Sequence, residues 1–167
     1  MMTSVLTTKI PTESIYKKHI SKIDFHDTFS VSLATADMPI EEIFLSVFSH
    51  TPAWIENLLK LRNAIVSVFG LKTDGENQQT TLENVRIGEE IGLFKIYDIT
   101  DNEIIAGEDD KHLNFRVSVL KKKNKVFTST FVQYNNLFGR IYMTIVMPFH
   151  KLIVKAMLKN AIKNKRI

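Results

Sequence analysis

PFHKLIVKAMLKNAIKNK, residues 148–165, is the stretch whose reading decides the fold. Proline lacks an N–H and so suits the first turn of a helix. Behind it Phe149, Leu152, Ile153, Ala156 and Met157 fall on one side, while Lys151, Lys155, Lys159 and Lys163 recur every four residues on another. That period predicts an amphipathic helix, and its apolar side needs a bed. The preceding residues supply one. Runs with a period of two occupy 93–99, 102–107, 112–120, 126–134 and 140–147, with a weaker one at 85–88. TDN, the acidic GEDD, KKKN and NNLFG join them, all suitable for hairpins.

Upstream, DFHDTFSVSLA (24–34) alternates with Phe29, Val31 and Leu33 on one side and reads as a strand. TADMPIEEIFLSVF (35–48) then predicts a helix capped by Asp37, with Pro39, Glu41 and Glu42 in its first turn. Pro52 starts a second helix, which Gly70 ends. Its Trp54, Leu58, Leu61, Ile65 and Val68 form one stripe expected to be buried. Ile55, Leu59, Val66 and Phe69 form a second stripe, with Arg62 in its middle. The polar stretch 72–84 reads as a long loop. The order predicts an α+β domain spanning 1–167: a curved antiparallel sheet of six or seven strands around a long C-terminal helix, with a helix pair after the first strand.

Composition bounds the function. The chain has 167 residues, 44% hydrophobic and 24% charged, ordinary values for a folded domain. Without cysteine there is no disulfide or thiolate site, which fits the cytoplasm. The first residues lack a signal peptide's apolar core. No apolar run approaches the roughly 20 residues that cross a bilayer, so a soluble protein is expected. Net charge is +4, but residues 151–167 hold six Lys/Arg and no acid, leaving −2 for the rest. No basic patch interleaved with aromatics argues for nucleic acid. Nor is there a G-x-G-x-x-G, a P-loop, a G-x-S-x-G or an H-E-x-x-H, so neither cofactor nor metal is expected.

Four blocks carry a resemblance: DFHDTF (24–29), PAWIENLLKLRN (52–63), GEDDKHLNFRV (107–117) and GRIYMTIVMPFHKLIVKA (139–156). In this order they resemble the bacterial family known as domain of unknown function 2867, over about residues 11–160. That family is similar to the helix-grip superfamily (START-like, Bet v 1-like, SRPBCC), whose members hold a cavity between sheet and C-terminal helix. Some relatives carry a Rossmann domain in front; none is expected within these 167 residues. The resemblance implies a fold and a cavity, and no catalytic roles.

The candidate site residues come from the charged corner and the helices. In an extended chain Asp109, Leu113, Phe115, Val117 and Val119 share one face, expected to be the core face. Asp110, His112, Asn114, Arg116 and Ser118 share the other, expected to be a solvated ladder unless it lines the cavity. Asp110 and His112 would then form an acid/base pair. Arg62, set in an apolar stripe, needs a carboxylate, and Asp109 is the first choice for a structural ion pair. Trp54, Tyr134, Tyr142 and His150 are each more often core or rim, but together with Arg62, Asp110, His112 and Arg116 they suit a ligand site. The favoured function is a module binding a hydrophobic or amphipathic small molecule. The runner-up is a cyclase, isomerase or hydrolase using Asp110 and His112. The third reading sets the lysine helix on a membrane or a protein; a solvated lysine face is favoured over it.

Overall fold

The computed structural model describes residues 4–68, 70 and 81–167. Its strands are β1 (Leu6–Thr7), β2 (Phe25–Ser32), β3 (Glu90–Ile91), β4 (Phe94–Ile99), β5 (Glu103–Asp109), β6 (Leu113–Lys122) and β7 (Lys125–Tyr134). They form one open antiparallel sheet in the order β1-β2-β7-β6-β5-β4-β3. Helices α1 (Ile40–Phe48) and α2 (Ala53–Ser67) follow β2, and α3 (Leu137–Lys163) follows β7. This is the expected α+β arrangement of a sheet with a long C-terminal helix, consistent with a helix-grip fold. The loop expected at 72–84 lies largely outside the described residues; its end, Leu82–Asn84, is a single 3-10 turn.

Pairing fixes the faces. Phe25, Asp27, Phe29 and Val31 stand level with Val132, Thr130, Thr128 and Val126 of β7. Those in turn stand level with Phe115, Val117, Val119 and Lys121 of β6. Because side chains alternate, this row is one face of the sheet. Phe29, Val31, Val119, Val126, Ile104 and Ala106 from it pack with Ile40, Ile43, Phe44 and Val47 of α1 and Met157, Leu158 and Ala161 of α3 in one core. A smaller cluster, Leu113, Val132 and Met143, lies nearer the start of α3.

Several expectations need correction. Residues 140–147 are not a strand but the first half of α3, which starts at Leu137 and runs through Pro148. Asn136 caps it by accepting the Gly139 N–H at 3.0 Å, a signal that outweighs the β-branched look of IYMTIV. Pro148 therefore sits inside the helix and forgoes the bond to the Thr144 carbonyl. It lies on the exposed side, where water can reach that carbonyl. Phe149 and Leu152 point outward, not into the core. Residues 85–88 are turn, and the short strand is β3. Asp37 does not cap α1; Pro39 holds that position.

Helix α2 buries the other stripe. Ile55 and Val66 are buried, whereas Trp54, Leu61, Ile65 and Val68 are exposed, the last at 81%. Arg62 explains the choice: it lies on the inward side and finds polar company there, as described below.

The opposite face of the sheet, expected to be wet, is covered by a strap that sequence periodicity did not reveal. Tyr16 stacks on Phe131 with centroids 4.2 Å apart. His19 meets Asp98 at 3.0 Å, and Ser21 donates to Gln133 at 3.1 Å. Buried Glu103 accepts the Ile15 N–H at 2.9 Å and the hydroxyls of Ser14 and Ser118. Two surface clefts of about 360 Å³ border this strap, one beside Glu13 and Ile15 and the other beside Lys17–Ser21.

Candidate ligand site

Three segments meet at one end of the sheet: the turn between β5 and β6, the start of α3, and the middle of α2. Two asparagines join the first two. Asn135 donates its N–H to the His112 carbonyl at 3.0 Å and its Nδ2 to the Asp110 carbonyl at 2.8 Å. Asn136 donates Nδ2 to the Lys111 carbonyl at 3.0 Å while capping α3. Gly139 lets the helix backbone touch the turn. A β-carbon there would stand 1.9 Å from the His112 carbonyl oxygen, far inside contact distance.

His112 lies under the first turns of α3, 2% exposed. Tyr142 stands edge-on to it with centroids 4.9 Å apart, and Phe138 lies at 5.8 Å. Its Nδ1 is 3.5 Å from Asp110 Oδ2, too long for a good hydrogen bond, and neither ring nitrogen makes one. Over this group Arg62 Nε donates to the Tyr142 hydroxyl at 3.0 Å, and Arg62 Nη1 donates to Asn63 Oδ1 at 2.8 Å. Burial pushes the His112 pKa below its ordinary value; the Asp110 charge opposes that shift and the Arg62 charge reinforces it. The imidazole is therefore neutral at neutral pH, offering one donor and one acceptor. Each buried polar atom left unpaired costs about 1–3 kcal/mol.

A second polar group lies farther along α3 on the same face of the sheet. His150 Nε2 stands 3.4 Å from both carboxylate oxygens of buried Asp27. At that length the contact is electrostatic more than a hydrogen bond, and Asp27 Oδ2 and Thr128 Oγ1 lack hydrogen-bond partners. Phe25, edge-on to His150 at 6.2 Å, and the Leu113–Val132–Met143 cluster supply apolar surface on this side of the sheet.

Arg62, Asp110, His112 and Tyr142, named separately from the sequence, thus converge, and Tyr134 borders them through the small cluster. Trp54, Arg116 and His150 lie elsewhere. Trp54 is 47% exposed on α2. Arg116 is buried on the strap side, its Cζ 3.8 Å from the Tyr97 ring centroid. The Arg62–Asp109 pair is overturned, because Asp109 pairs with Arg116 Nη1 at 2.8 Å. The tight turn explains it. Asp109 stands opposite Asn114, so it shares the strap face with Arg116, not the face of Leu113 and Phe115. The polar row also splits: Asn114, Arg116 and Ser118 face the strap, and His112, already in the turn, faces α3.

Asp27 is the residue that sequence reasoning missed. It alternates in phase with Phe25, Phe29 and Val31, and an acid in an apolar row is a signal the sequence does carry. Among the described residues no three His, Asp or Glu side chains could hold one metal ion.

An open antiparallel sheet carrying a long C-terminal helix on one face, with buried polar groups beneath that helix, defines an α+β domain of helix-grip design. The chain belongs to the family described as Protein of unknown function (DUF2867), whose model matches residues 19–157. No curated protein and no solved structure matches it.

Proposed function

We propose that the domain binds a small amphipathic molecule between α3 and the sheet, as START-like domains do, and that it shares their ancestry. The observation that carries the reading is His112: a buried, neutral imidazole with neither nitrogen hydrogen-bonded, walled by Arg62 and Tyr142. A hydroxyl, carbonyl or carboxyl group that displaces the Tyr142 ring would satisfy the imidazole and meet the guanidinium. The apolar body would lie along Leu113, Val132 and Met143 toward Asp27, Thr128 and His150. Such a site, mostly apolar with a few directed polar groups, is what small-molecule recognition needs.

Native mass spectrometry of freshly purified protein tests this. The expected result is a co-purifying small molecule that is lost from an Arg62→Ala chain. A bare mass, together with no saturable binding of anilinonaphthalene sulfonate, would sink the proposal. A second reading is acid/base catalysis by His112 with Asp110, favoured by the burial that keeps the imidazole in its basic form. It requires His112→Ala to lose turnover of whatever ligand is recovered.

A further inference from the structure

The outer side of α3 is the least expected surface of the molecule. Leu137, Ile141, Ile145, Phe149 and Leu152 follow one another at +4, +4, +4 and +3, and all are at least half exposed. At 3.6 residues per turn this spacing keeps them on one stripe. The same line continues into exposed Lys159 and Lys163. Helix α2 adds Trp54, Leu61 and Ile65, also exposed. The Arg62–Tyr142 hydrogen bond ties the two helices together, and Leu61 and Ile65 lie close to Arg62 along α2 as Ile141 and Ile145 lie close to Tyr142 along α3. Monomers rarely leave so many large apolar side chains exposed along two neighbouring helices without a use for them.

Charge says what covers it. Residues 137–167 contain Arg140, Lys151, Lys155, Lys159, Lys163, Lys165 and Arg166 and no acid, while the rest of the chain is net −3. We propose that this α2–α3 face docks on an anionic membrane surface. The apolar stripes enter the boundary between headgroups and acyl chains, with Trp54 at headgroup level, and Lys159 and Lys163 engage acidic headgroups. A second copy of the chain fits less well, since face-to-face pairing would bring two acid-free basic helices together. Helix α3 is also long and apolar enough to cross a bilayer by length and composition. Crossing would strip Met157, Leu158 and Ala161 from the core, so the helix lies on the surface and does not span. The same helix corrects the expectation that no run is long enough, because reading 140–147 as a strand had divided it.

Trp54, the chain's single tryptophan, reports the event. The intact chain is mixed with phosphatidylcholine vesicles and with phosphatidylcholine–phosphatidylglycerol vesicles, at low and at high salt. The expected result is a blue shift of Trp54 emission and sedimentation with the anionic vesicles, about tenfold weaker with the neutral ones and weakened by salt. Ile141→Ser with Ile145→Ser should abolish sedimentation while leaving the melting temperature unchanged, since both sites are exposed. Lys159→Glu with Lys163→Glu should remove the preference for anionic lipid. No sedimentation with anionic vesicles, or equal binding to both kinds, overturns the proposal. So does a solution dimer that the isoleucine variant dissociates, which would assign the face to a second copy.

Discussion

His112 couples stability to pH, and the sign follows from its burial. The folded imidazole titrates below the ordinary value of 6.5, so the unfolded chain takes up the proton first. Stability is then full above about pH 6.5 and falls as the pH is lowered through that value toward the folded pKa. Urea midpoints measured from neutral to mildly acid pH should show this slope. His112→Phe keeps a ring of similar shape and removes two nitrogens that make no hydrogen bond, so its midpoint should equal or exceed the parent's and the slope should flatten. The same variant should lose ligand capture, the usual trade between stability and a poised site. Gly139→Ala is the opposite case. Its methyl group must push the His112 carbonyl away, and the chain should lose about 1–3 kcal/mol in urea denaturation.

At the scale of elements, the strap is held by Glu103. Glu103→Gln keeps the volume but gives up the charge that strengthens the bonds from Ser14, Ile15 and Ser118. Trypsin should then cut after Lys17 and Lys18 about tenfold faster, with cleavage elsewhere unchanged; equal rates would mean that Tyr16 on Phe131 suffices. The strands were legible because alternation records burial directly, as in Phe29 and Val31 or Val117 and Val119. Helix borders were not. A cap at Asn136 and a proline twelve residues later compete as starting points, and only the packing of Met143 on Val132 decides between them. On α2 two apolar stripes of similar length were on offer, and the arginine went inward to meet Tyr142. The strap has no period at all, so its one sequence trace is Glu103 beside the apolar Ile104 and Ile105. The site was legible as a set of residue types, while their convergence depends on the turn at 110–112 and on Gly139.

For the whole molecule, the back of the sheet is closed by chain that is far from it in sequence. Ser14 and Glu103 are 89 residues apart, Ser21 and Gln133 are 112, and β2 pairs with β7 across a similar distance. The loop-closure entropy of such contacts has to be met before they contribute, which raises contact order and slows folding. On a ribosome the strap emerges long before β5, which carries Glu103, and its seat is complete only when β7 has supplied Phe131 and Gln133. Pulse-labelling hydrogen exchange during refolding should therefore find the Ile15 amide protected later than amides of the β6–β7 hairpin. Until then Phe131 and buried Glu103 are open to solvent, so a chaperone that recognises nascent β-sheet has its window on this back face.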